Sequence, residues 1–390
     1  MLRRIFLHFD NRAIMKLQFL FLLICMVNCQ SMFAQSPTAE AVRQYNLGVE
    51  LAKNKDYQQA ISSFSRALEL NPGYTKALFN RASMKISVKD WKGALTDLDR
   101  VLQQEPEHLK AYLHKGYIYN QMQEHHKAMH AYTQALKVDP QSSEAYLQRG
   151  TILLGLKEYK KAIDDFDQVL EIDDESAVAY FNRAVSHYHL EKYYDAVNDF
   201  SSALDFNQDP GKIYLPRAKS LVQIEKFKEA TFDLSALLDM GEQNAELYYL
   251  RGYSHLSQGD TLPAIEDFGK ALALEPNHEN TLIKRSMVNI QTKRYREAID
   301  DYTRLIAKSP DQMGFFINRG IAYLNLENYD AALLDFNQVV SKNKEDHHAY
   351  FNRANVYLRL EKYEDACVDL REAARLGYNP AFQFIREVCR

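Results

Sequence analysis

His126 and His130 stand one helical turn apart in EHHKAMHAY, a spacing that places two imidazoles on one helix face and suits a transition metal. No third ligand accompanies them in the sequence, so they read as a helix surface. Asp164, Asp165 and Asp167, and Glu171 with Asp173 and Asp174, are dense in carboxylates but lack the calcium-loop pattern. A solvated helix face or turn explains them. No GxSxG, HExxH, CxxC, GxxxxGK[ST] or GxGxxG run occurs in the chain. The expectation is a non-enzymatic protein with no catalytic residues, no metal and no cofactor.

A second pattern recurs along most of the chain. Arg81 precedes Asp97 by sixteen residues, and the same step joins Arg149 to Asp165, Arg183 to Asp199 and Arg217 to Asp233. It returns in Arg251 and Asp267, Arg285 and Asp301, Arg319 and Asp335, and Arg353 and Asp369. Repeated arginines could form a phosphate track, but the basic and acidic members are lost together. Leu47 pairs with Ser63, and Lys115 with Ala131. The reading is therefore a structural ladder of ion pairs across a partly buried seam. Cutting one partner of such a pair costs about 3–5 kcal/mol, because the other charge is stranded.

The elements that hold this ladder follow from its period. AYFNRA begins at Ala179 and again at Ala349, 170 residues later and five times 34. Counted from Ala41, ten 34-residue units run without insertion, and position 8 is always small, from Gly48 and Ala82 through Gly320 and Ala354. Position 20 is alanine in all ten, and position 24 is bulky, as in Phe64, Leu98, Tyr132 and Phe336. Positions 4, 8 and 11, and 20, 24 and 27, follow helical spacing, which gives two helices per unit. Pro72, Pro106, Pro140, Pro276 and Pro310 at position 32 end one helix pair and set the turn into the next. Repetition also accounts for 25 tyrosines and 20 phenylalanines beside one tryptophan.

On these columns residues 41–378 resemble the tetratricopeptide repeat family, with its aromatic position 4, small positions 8 and 20, aromatic 24 and Pro 32. The resemblance implies an all-α, right-handed superhelical solenoid of ten tandem helix-turn-helix hairpins. Residues 379–390 would add a C-terminal capping helix with Ala381, Phe382, Ile385 and Val388 on one side. Five units depart from the pattern, carrying Asp174, Gln208, Glu242, Lys344 and Tyr378 in place of Pro 32, which leaves their turns open.

In this family position 6 faces the inner surface, and here it reads Asn46, Asn80, His114, Gln148, Asn182, Pro216, Leu250, Lys284, Asn318 and Asn352. The amides resemble the asparagine ladder in the repeat region of O-linked N-acetylglucosamine transferases, which implies a grip on the backbone of an extended peptide. A primary amide offers both donor and acceptor for that purpose. An exposed polar residue beside the seam is the plainer alternative. Position 5 is apolar throughout, including Phe79, Phe181, Tyr249 and Phe351, and would supply side-chain pockets or simple helix packing. The ladder lapses at Pro216, Leu250 and Lys284, dividing the groove into units one to five and nine to ten. Pro216 lies inside a predicted helix, where it would delay the start or kink it.

The net charge is −4, and residues 1–34 hold Arg3, Arg4, Arg12 and Lys16 against Asp10, so the chain after them carries −7. That balance argues against a nucleic-acid backbone as partner. Residues 17–27, LQFLFLLICMV, with SMFAQ behind them, read as a signal segment cleaved after Ala34. Export to the periplasm or outside the cell is expected, with other proteins as partners through extended segments and no small-molecule substrate. MVNC raises an alternative, a lipid-anchored envelope assembly or transport component, an outer-membrane lipoprotein acylated at Cys29, which alone would add a membrane. A third option is a cytosolic product whose N-terminus is never cleaved. Cys367 and Cys389 are expected to be inert buried thiols, although an oxidising compartment would permit a bond.

Overall fold

The computed structural model describes residues 38–389, and the expected signal segment and Cys29 lie outside them. Twenty-one α-helices and no strand occur among the described residues. They form ten antiparallel hairpins and a last short helix, in an all-α repeat solenoid. Two compact bodies divide them, the first ending at Asp174 and the second beginning at Glu175.

The first body contains hairpins one to four: Ala39–Lys53 with Tyr57–Leu70, Thr75–Ser87 with Trp91–Gln104, Leu109–Gln121 with His125–Val138, and Ser143–Gly155 with Tyr159–Ile172. The second contains hairpins five to ten: Ala177–His189 with Tyr193–Asp205, Pro210–Gln223 with Phe227–Asp239, Ala245–Gln258 with Thr261–Leu274, Glu279–Gln291 with Tyr295–Lys308, Met313–Asn325 with Tyr329–Lys342, and His347–Arg359 with Tyr363–Arg375. The helix Ala381–Val388 follows. Within each body the second helix of one hairpin packs on the first helix of the next. A hairpin too small to bury its own faces is thereby covered by its neighbours.

The core of each hairpin is a size-matched pair. Gly116 lies so close to Tyr132 that a Cβ there would sit 2.6 Å from the ring, and at Gly320 the corresponding distance to Phe336 is 2.8 Å. Glycine at position 8 accompanies an aromatic at 24 in Gly48–Phe64, Gly150–Phe166 and Gly252–Phe268 too, whereas Ala82, Ala218 and Ala354 face the smaller Leu98, Leu234 and Leu370. Interiors close-packed to crystal density require such compensation. Ala184 with Phe200 and Ser286 with Tyr302 depart from the rule.

The turn inside each hairpin places position 15 in the left-handed region. Lys55, Lys89, Gln123, Lys157, Glu191, Glu225, Lys293, Glu327 and Glu361 have φ of 58–65°, and Gly259 has 89°. Bonds of the Asp56 N–H to the Leu51 carbonyl and the Lys55 N–H to Ala52 close the helix end in the pattern of a Schellman cap.

The turns without Pro 32 fall into two kinds. Asp173 and Asn343 cap their helices in extended conformation, at φ −140° and −131°, like the proline-bearing hairpins. Asn207, Gly241 and Gly377 instead turn left-handed, at 65°, 92° and 94°, and their helices stop one residue sooner. Pro216 does not delay its helix, which begins early at Pro210 behind an Asp209 cap whose side chain accepts from the Gly211 N–H.

Two expectations at the C-terminus are corrected. Cys367 and Cys389 are joined in a disulfide across Cα atoms 5.6 Å apart, where free thiols were expected. The capping helix packs Ala381, Phe384 and Ile385 onto Tyr350, Phe351 and Leu370, while Phe382 points away with 52% of its surface exposed. An eight-residue helix fixes its phase by the disulfide and by these contacts, so the apolar residue two places on wins the buried side.

Candidate functional site

The ladder residues meet as bidentate pairs on facing helices of each hairpin. Arg81 Nε donates to Asp97 Oδ2 at 2.8 Å and Nη2 to Oδ1 at 2.6 Å. The same two bonds join Arg149 to Asp165, Arg183 to Asp199, Arg217 to Asp233 and Arg251 to Asp267 at 2.6–2.9 Å. Arg285 with Asp301, Arg319 with Asp335 and Arg353 with Asp369 repeat them. Every one of these aspartates is buried. Burial pushes the Asp233 and Asp301 carboxyls above their usual range, against the hydrogen bonds and charge of Arg217 and Arg285. At these two carboxyls desolvation outweighs attraction, whereas at Arg217 the bond and charge of Asp233 together prevail over burial.

The arginine makes a further bond that the sequence reading missed. Its Nη1 donates to position 25 of the preceding hairpin: Arg81 to Ser65 at 3.0 Å, Arg149 to Thr133 at 3.0 Å, Arg217 to Ser201 at 3.1 Å and Arg353 to Asn337 at 2.7 Å. The guanidinium also lies over the position 4 ring, 5.4 Å from Tyr180 in Arg183 and 5.6 Å from Tyr350 in Arg353. One fork therefore ties the two helices of a hairpin to the hairpin before.

Position 6 lies beside this seam on the first helix of each hairpin. In the first body Asn46 is exposed, and Asn80, His114 and Gln148 are half-buried. Asn80 Nδ2 donates to the Tyr45 hydroxyl at 3.1 Å, and His114 stacks on Phe79 with ring centres 5.0 Å apart. In the second body Asn182, Asn318 and Asn352 are half-buried, as are the interrupting Pro216, Leu250 and Lys284. Asn318 bonds the buried Tyr302 hydroxyl, and Asn352 Nδ2 turns back to the His348 carbonyl at 2.9 Å. Among the described residues Asn46, Gln148 and Asn182 carry no side-chain hydrogen bond.

Position 5 runs alongside, half-buried except for Leu113, which is buried. Part of this stripe is internal packing. Phe181 meets Phe200 at 5.8 Å, Tyr249 meets His278 at 5.4 Å, and Phe351 meets Tyr378 at 4.8 Å and Phe384 at 5.4 Å. The position 12 residues Ile86, Leu154, Tyr188, Leu256, Ile290, Leu324 and Leu358 are half-buried as well. Each body thus carries a half-buried apolar stripe beside the position 6 groups, which are polar throughout the first body and interrupted at Pro216 and Leu250 in the second. His126 and His130 lie elsewhere, and no cluster of three metal-ligating side chains occurs among the described residues.

The sequence matches the tetratricopeptide repeat over residues 41–74, 109–142, 143–176 and 245–278, and over 289–339 and 317–379. No curated protein matches. Similar solved structures include a tetratricopeptide repeat protein from Parabacteroides merdae ATCC 43184, 22% identical over 64% of this chain and 98% of that one, with a TM-score of 0.45. MamA is 19% identical over 41% of this chain and 93% of its own, at 0.40. Naa15/Naa10 bound to HypK-THB is 11% identical over 86% of this chain and 64% of its own, at 0.45. With the 34-residue register filled by ten hairpins and the repeat matched in both bodies, the chain belongs to the tetratricopeptide repeat family.

Proposed function

We propose that the protein is a non-catalytic scaffold that binds extended segments of other proteins along the first-helix faces of its hairpins. The observation that supports this is the pairing of two columns with different chemistry. Half-exposed apolar residues at positions 5 and 12 offer contacts for alternate side chains, and Asn46, Gln148 and Asn182 keep donors and acceptors for a peptide backbone. In this family those positions line the inner surface, which gives the face its direction.

Export belongs to the same proposal, through residues 17–27 and cleavage after Ala34. The Cys367–Cys389 disulfide supports an oxidising compartment. The lipid-anchored alternative rests on MVNC, and the mass of the mature N-terminus separates the two: diacylglyceryl-Cys29 or a free Gln35. For the binding face, affinity capture with wild type is compared with an Asn46→Ala, Gln148→Ala, Asn182→Ala variant. Loss of captured proteins from the variant is expected, and identical partner lists would remove the amides from the mechanism.

A further inference from the structure

The ladder is missing from hairpins one and three, and in hairpin three something else stands in its place. Position 23 is Ala131, and the position 7 cation is Lys115, whose ammonium reaches back to Asp99 of the preceding hairpin at 2.6 Å. Eight other hairpins fill the space between their helices with an aspartate carboxylate gripped by arginine. Hairpin three instead has a cleft of about 290 Å³, with Ala131 in its wall.

The lining is rich in donors and holds no carboxylate. Lys115 and Lys127 border it with His126, His130 and Gln134, and Tyr112 and Tyr119 form aromatic walls. Lys127 lies 5.5 Å from the Tyr119 ring centre and pairs with the half-buried Glu124, one turn away. Neither lysine is exhausted by its pair, since an ammonium has three donors. Asp99 is 54% exposed and Lys115 19%, so solvent screens the pair on its carboxylate side. The cleft lies on positions 4, 7 and 11 of the first helix and 18, 19, 22, 23 and 26 of the second, away from positions 5, 6 and 12. It is therefore independent of the peptide-binding face.

We propose that this cleft binds a carboxylate from another molecule, in the place that aspartate occupies in the eight complete hairpins. A partner carboxylate would bond Lys115 between the two tyrosines and complete the missing rung. Its source is either a free dicarboxylic acid or an acidic side chain on a protein segment.

The test titrates the full chain with succinate, and separately with a blocked Gly-Asp-Gly peptide, following His126 and His130 by NMR. Saturation at millimolar concentrations by at least one of them is expected. Lys115→Met should weaken it about tenfold, a loss of about 1.4 kcal/mol. Ala131→Asp should abolish it, because the chain then supplies its own carboxylate. Succinate alone identifies a free acid as ligand, and the peptide alone a partner side chain. Saturation by neither, or binding unchanged in both variants, overturns the proposal.

Discussion

Arg217 and Asp233 face each other across hairpin six in two parallel bonds, with the carboxylate fully enclosed and 16% of the arginine side chain exposed. Burial opposes the charge on both partners, so their mutual attraction is what makes the enclosure tolerable. Asp233→Ala strands the guanidinium and should destabilise by about 3–5 kcal/mol. Arg217→Met with Asp233→Leu removes both charges and fills the space, and should cost less. Thermal denaturation followed by circular dichroism compares the two. Equal melting temperatures would mean that the pair is not desolvated.

The left-handed turns carry a second expectation. A residue with a Cβ pays about 1–2 kcal/mol to stand at positive φ, whereas glycine does not. Glu225 holds φ 59° and Gly259 holds 89° at equivalent places in adjacent hairpins. Glu225→Gly should stabilise and Gly259→Ala should destabilise, each by about 1 kcal/mol. Opposite shifts of Tm check this, and a fall in both would deny the turn its role.

Much of the architecture was legible because size repeats: the small position 8, the alanine at 20 and the bulky 24 fix the helices and their pairing. The aspartates of the ladder were legible for the same reason, since their loss coincides with loss of arginine. The third bond that most of the guanidinia make was not, because position 25 varies among Ser65, Thr133 and Asn337, is Gly269 before Arg285, and looks like surface. The turns hid as well, since Lys and Glu at position 15 announce no positive φ. Half of the amide column proved to be engaged internally, as Asn80 with Tyr45 shows. A sequence column reveals which residues share a face but not which of them their neighbours occupy.

The Cys367–Cys389 bond spans 22 residues and fastens the last helix to the tenth hairpin. In the chain-entropy account, closing a loop of that size stabilises by about 3 kcal/mol. Cys389→Ser should therefore speed hydrogen exchange across Ala381–Val388, leave hairpins one to eight unchanged, and match wild type treated with a reductant. Unaltered exchange in that helix would show that Phe384 and Ile385 hold it without the bond.

His114 gives the stability a dependence on acid. Its ring stacks on Phe79 and its Nδ1 is buried without a hydrogen-bond partner. Burial lowers its pKa, and the charges of His108 and Lys110 lower it further. The unfolded chain, titrating near 6.5, takes up the proton first as pH falls. The contribution is thus present above about pH 6.5 and is lost on going below it. His114→Phe keeps a ring on Phe79 and cannot titrate, so its Tm should fall less than wild type between about pH 7.5 and 5. Parallel pH profiles would take His114 out of the acid response.

Gly320 and Phe336 test whether size matching holds each hairpin together. A methyl at position 320 would meet the ring at 2.8 Å, closer than carbon atoms approach, and the fully buried ring has nowhere to retreat. Gly320→Ala should cost about 1–3 kcal/mol by overpacking, outweighing the helix propensity that alanine adds. Phe336→Leu alone should cost on the order of 1–3 kcal/mol as well, because it leaves a void under glycine. Together they recreate the combination of Ala82 with Leu98, where both residues are completely buried. The double variant should therefore be more stable than the sum of the single losses by more than about 0.5 kcal/mol, the coupling expected of residues in contact. A double-mutant cycle on urea unfolding measures that term. Strict additivity would mean that position 8 and position 24 are each small or large for reasons of their own.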